Sequence, residues 1–169
     1  MTTADFANQI SKLLQQEQAV IGAEWLGHLE EPMVRNTTAS HEQLRKHTQQ
    51  FLAAFTNAPR SADLDNIDHR SWDEVRDLLA EISSSRAKAG STPAETATFV
   101  LSLKRPLFAR LRQFFKGEPE TLAGASWAIS TLLDKLGLYT IEVFQKTKDQ
   151  IIVRQQQELL ELSTPVVKL

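Results

Sequence analysis

Only six glycines and six prolines interrupt the 169 residues of the chain. Between them the apolar residues recur at steps of three, four and seven. That spacing gathers them on one face of a helix, so the chain is constrained to an all-α fold. Phe6, Ile10, Leu13, Leu14, Ile21, Trp25 and Leu29 trace a first helix that Pro32 stops. Ser40 with Gln43 forms a capping box for a second helix through Leu44, Phe51, Leu52 and Phe55. A polar stretch over 59–68 reads as a loop. Ser71 with Glu74 repeats the capping signature before a third helix carrying Trp72, Val75, Leu78, Leu79 and Ile82. Gly90 stands where a left-handed C-terminal cap is wanted. Thr92, Pro93 and Glu95 then supply the strongest helix start in the chain, leading through Phe99, Leu103, Leu107, Leu111 and Phe115. Pro106 lies inside this fourth helix and is expected to kink it near Ser102.

After Pro119 a last helix is expected from about Glu120 to Leu162, far longer than the usual three or four turns. Its first half carries Leu122, Trp127, Ile129, Leu132, Leu133, Leu136, Tyr139, Val143 and Phe144. Its second half, 145–158, is mostly polar apart from Ile151, Ile152 and Val153. A core-packed start with a sparsely apolar continuation describes a helix that leaves the domain and pairs elsewhere. Pro165 and the Val166–Val167 pair favour an extended backbone from Ser163 onward. The expected organisation is thus a helical domain over 1–144, a linker helix over 145–162, and the opening residues of a following domain over 163–169.

The length suits one domain with a single core. A net charge of -2 is a poor electrostatic footprint for nucleic acid or an anionic membrane. The absence of cysteine excludes a disulfide framework, a thiol nucleophile and Cys-based metal sites. No apolar run approaches the roughly 20 residues of a membrane span. Cytoplasmic residence is the expectation.

Catalytic chemistry finds little support. The chain has no GxSxG elbow, no phosphate-cradling glycine loop and no HExxH, so no catalytic or metal-ligating residue is assigned and no enzyme activity is expected. His41 and His47 are six apart and lie on different helix faces. His28 follows Trp25 by three and borders the core. Glu30–Glu31 and Asp73–Glu74 are adjacent carboxylates, the second pair complementing a helix N-terminus. Lys104, Arg105, Arg110, Arg112 and Lys116 make the fourth helix basic, a solvated face. Trp25, Trp72, Trp127 and the eight phenylalanines sit at core spacing.

Two stretches carry a resemblance. The run from Ile151 through Arg154, Gln155, Gln156, Gln157, Glu161, Leu162, Ser163, Thr164, Pro165 and Val166 resembles the junction in RsbR-type stressosome proteins, where a long helix enters a STAS domain. The segments 85–95 and 99–104 resemble the N-terminal sensor domain of the RsbRD kind. The resemblance implies a globin-like bundle of about five main helices acting as a dimeric, non-enzymatic sensor in signal transduction of the stress response. Its last helix would relay a signal to a STAS domain that associates with RsbS and controls the kinase RsbT. Ile151, Ile152, Leu159 and Leu160 are the candidates for a short seam between two copies. A globin-like fold also raises haem as an alternative cofactor. In haem-binding sensor globins the axial histidine precedes the glycine that Gly90 resembles, and Arg86 occupies that place. Arginine offers iron no lone pair, so no cofactor is expected. Were haem bound, His69 or His47 would be its ligand.

Overall fold

The computed structural model describes residues 3–31, 40–58 and 66–167, with side chains for 6–31, 40–58 and 66–163. Among the described residues there are helices and turns but no strand. The order is α1 (Thr3–Leu29), α2 (His41–Asn57), a 3-10 turn (Arg70–Trp72), α3 (Asp73–Lys88), α4 (Pro93–Leu101), α5 (Lys104–Phe114) and α6 (Pro119–Val167). The all-α expectation holds, with the last helix by far the longest. α3 and α4 pack along α6, while α1 packs on α2 and α5.

Local chemistry explains most of the boundaries. Ser40 and Gln43 close the capping box of α2 reciprocally. Thr92 Oγ1 accepts from the Glu95 amide at the start of α4, with Pro93 in the first turn. Gly90 (φ 87°) ends the α3 turn in the left-handed region, as does Gly117 (φ 84°) before α6. Pro32, and 59–65 of the expected loop, lie outside the described residues; at 66–68 the chain turns, the Asp68 amide donating to Asn66 Oδ1.

Pro106 does more than kink a helix: it divides one into α4 and α5. Without an N–H it cannot bond to the Ser102 carbonyl, and it settles into the first turn of α5, where that donor has no helical partner anyway. Ser102 at the break is held by side-chain bonds instead. Its Oγ donates to the Phe99 carbonyl at 2.8 Å and accepts from Trp25 Nε1 at 2.8 Å.

Three expectations require correction. Ser71 does not cap α3: it lies within the 3-10 turn, whose N-cap is His69, with Nδ1 accepting from the Ser71 amide at 3.1 Å. The turn reaches its cap two residues earlier than the Ser71–Glu74 spacing suggested. The last helix does not turn extended at Ser163 but continues to Val167. An extended Val166–Val167 has no partner strand among the described residues, whereas a helix satisfies its backbone locally. Trp127, at core spacing, is 76% exposed, because α6 carries apolar residues on two opposite faces.

The core is aromatic where α1, α2 and α4 meet. Trp25 lies 4.9 Å from Phe99 and 5.6 Å from Phe51 between ring centroids, and Phe55 bridges Phe51 to Trp72. Such pairs add roughly 0.5–1.5 kcal/mol each beyond burial. α3 is fastened to α6 by small polar groups, Ser83 Oγ donating to the Thr140 carbonyl at 2.6 Å and Ser84 Oγ meeting Thr147 Oγ1 at 2.9 Å. Gly137 of α6 admits Leu101 of α4 closely: a Cβ there would stand 3.3 Å from Leu101 Cδ2.

Candidate functional site

Ala125, Ile129, Leu132, Leu136 and Thr140 face the core and are buried. At about 100° per residue, Trp127, Leu138, Ile141, Ile152 and Leu159 gather within an arc of about 60° on the opposite side. All five are exposed, between 37% for Ile141 and 76% for Trp127. With Thr131, Asp134, Gln145, Lys148, Gln155 and Leu162 they occupy positions spaced alternately four and three from 127 to 162. That is the heptad spacing of a coiled-coil seam. Leu101, 36% exposed and packed on Gly137, borders the stripe.

The stripe is built on a rigid base and runs beyond it. Phe144 and Thr147 are the last buried residues among the described side chains of α6; those from 152 to 163 are exposed. The sixteen residues after the half-buried Ile151 reach about 24 Å past the packed body. A straight helix drifts about 20° per heptad relative to this spacing, so the seam stays in register only if two such helices supercoil left-handed. Polar positions interrupt it. Asp134 is bound by Lys104 of α5 at 2.5 Å, and Lys148 lies over the Phe144 ring at 5.9 Å.

The four seam candidates read from the sequence separate on this frame. Ile152 and Leu159 lie in the stripe. Leu160 flanks it at 66% exposure, and Ile151 turns toward the body and is half-buried. Trp127 escapes the sequence reading because its spacing places it with the core, and Leu138 and Ile141 fall outside the apolar set that reading picks out. The alternating spacing from Trp127 to Leu162 was the signal that separates them.

The histidines do not converge. His28 pairs with Glu31 at 3.3 Å and with Arg105 at 3.2 Å, and His41 pairs with Glu30. His69 is exposed and its Nδ1 is engaged at the 3-10 turn. His47 is half-buried on α2, its ring edge-on to Phe99 at 6.4 Å. Burial first, then the charges of Arg86 and Lys46, lower its pKa to about 4. His47 Nδ1 is buried without a hydrogen-bond partner. Among the described residues no group of three metal-ligating side chains comes together.

The basic residues of α5 are partly spent internally: Lys104 binds Asp134 and Arg110 binds Glu24 of α1. Arg86, which stood for the missing axial histidine, is 4% exposed. A groove of about 560 Å³ between α1 and α2 is lined by Gln15, Gln18, Gly22, Thr48, Gln49 and Leu52, with no titratable side chain among its lining residues. No helix among the described residues is long and apolar enough to cross a membrane.

Residues 20–159 match the family model described as the RsbT co-antagonist protein rsbRD N-terminal domain. The match takes in α1 from Val20, all of α2 to α5, and the stripe as far as Leu159. No curated protein and no solved structure matches the chain significantly.

Proposed function

Because the chain belongs to the family of RsbT co-antagonist rsbRD N-terminal domains, we propose that it is a sensory and dimerisation module of a stressosome, cytoplasmic and without enzyme activity. Two copies pair through the outward stripe of α6. The helix carries a change in the packed body to a STAS domain that follows it and that binds an RsbS-type scaffold and an RsbT-type kinase. The observation that supports this reading is the two-faced character of α6. One face is locked into the core by Ile129, Leu132 and Leu136, and the other offers Trp127, Leu138, Ile141, Ile152 and Leu159 to a partner.

A helix continuous from core to tip transmits rotation or translation without a hinge. Its seam is interrupted at Asp134, Gln145, Lys148 and Gln155, so two arrangements of the pair differ by little free energy, as a two-state relay requires. Helical phase is therefore the quantity that carries the signal. In the full-length protein assembled with its scaffold and kinase, a seven-residue insertion after Gln150 keeps the stripe in phase, and kinase release under stress is retained. At the 3.5 residues per turn of the seam, a four-residue insertion moves the two halves about 50° apart and uncouples release. Equal behaviour of the two insertions refutes the relay.

A further inference from the structure

Arg86 stands on α3 in the line Leu79, Ile82, Ser83, Arg86, a core-facing row otherwise filled by apolar or small residues. Its guanidinium lies over the Phe99 ring, 4.6 Å from the centroid, and the residue is 4% exposed. No carboxylate lies within ion-pair distance of it among the described residues. Both Nε and Nη2 are buried without a hydrogen-bond partner. These two nitrogens form the side-on edge of the guanidinium, whose parallel N–H vectors match the two oxygens of a carboxylate. A buried cation whose two donors meet no protein acceptor is poorly compensated, so an acceptor brought to this edge would be held favourably.

The neighbouring groups point the same way. His47 Nδ1 is buried and unpartnered beside Arg86, within reach of its electrostatic influence. Glu95, at the start of α4, is the nearby acid that acts on Arg86, and its Oε2 is also buried and unpartnered. Acceptor and donor edge thus stand near each other without closing.

We propose that the side-on edge of Arg86, between α2, α3 and α4, is a binding site for the carboxylate of a small organic acid, with His47 as a second polar contact and Glu95 as the internal competitor for the same edge. The planar fork over an aromatic ring selects a planar, two-oxygen anion. The aromatic residues behind it, Phe99 and Trp25, favour a ligand with a small apolar remainder over a multiply charged one. α3 bonds directly to α6 through Ser83 and Ser84, so occupancy at Arg86 bears on the helix that carries the seam.

The test titrates the chain with formate and acetate at constant ionic strength, with phosphate and chloride in parallel arms. Thermal unfolding and the Arg86 Nε–H resonance are followed together. Formate or acetate is expected to raise Tm saturably, by about 5–10 °C at one hundred times its Kd, and to shift the Nε–H signal with the same midpoint. Arg86→Lys keeps the charge but loses the fork, so it should abolish the Tm response. Glu95→Gln removes the competitor and should tighten binding several-fold; because this variant leaves Arg86 in place, it tests the site even if Arg86→Lys unfolds. A response to phosphate or chloride alone overturns the carboxylate assignment. No saturable response, or one that survives in Arg86→Lys, overturns the site.

Discussion

Replacing Ile152 and Leu159 together by glutamate should dissolve the pair of chains while leaving each chain folded. The two side chains are 50% and 66% exposed, so about half of each is available for burial against a partner. Full burial of an isoleucine or leucine is worth about 1.5–3 kcal/mol. The four exposed portions of a symmetric pair therefore contribute about 5 kcal/mol in total, between three and four decades in Kd. Repulsion between the introduced carboxylates adds to that loss. A pair that forms at micromolar concentration should be monomeric at millimolar, as read by sedimentation equilibrium. Surface substitutions of this kind change the stability of one chain by no more than about 0.5 kcal/mol, so the far-UV signal and Tm of the monomer serve as controls. Val153→Glu with Leu160→Glu is a matched comparison. These residues are 51% and 66% exposed and also seven apart, but rotated about 100° from the first pair. Their replacement should weaken pairing by less than one decade. Equal loss from both double variants would refute the assignment of the stripe.

Trp127 should be readily quenched by acrylamide in the monomeric double variant and protected in the wild-type pair, whereas Trp25 and Trp72, both buried, stay protected in each. Thr92→Ala removes the side-chain acceptor for the Glu95 amide and should cost about 1 kcal/mol, or roughly 2–4 °C in Tm. Leu136→Ala, at a site that is fully buried, should cost about 2–5 kcal/mol in denaturant unfolding. His47 titrates near 4 when folded against 6.5 when unfolded. The unfolded chain therefore binds the proton first, and stability should fall as pH drops from about 6.5 toward 4. His47→Gln should flatten that slope between pH 6.5 and 5, above most carboxylate titrations.

The helix starts at Ser40 and Thr92, the left-handed Gly90 and the break caused by Pro106 were legible because each depends on chemistry within one turn of chain. Three features were not legible from local pattern. Trp127 satisfied core spacing, but α6 is apolar on two faces. Periodicity alone merges those faces unless residues are followed over several heptads, to Leu138, Ile152 and Leu159. Arg86 stands out in the sequence only as the residue in place of an axial histidine, although it also completes the core-facing row Leu79, Ile82, Ser83 seven residues after Leu79. A charge at that position marks either an ion pair or a ligand site, and only the fold reveals that no ion pair forms among the described residues. His69 took the capping role from Ser71 because an imidazole nitrogen can accept an amide proton as a hydroxyl does, which the Ser–Glu signature does not anticipate.

The chain contains no cysteine, so a single introduced thiol reports the pairing surface directly. In a parallel seam, Ile152 and Leu159 each face their own copy across the symmetry axis, near the Cα separation of about 4.4–6.8 Å that a disulfide requires. Ile152→Cys and Leu159→Cys should each give a covalent dimer rapidly under mild oxidation, while Val153→Cys and Leu160→Cys should remain largely monomeric in a denaturing gel. Preferential cross-linking at 153 and 160, or equal cross-linking at all four positions, would contradict pairing through the outward stripe of α6.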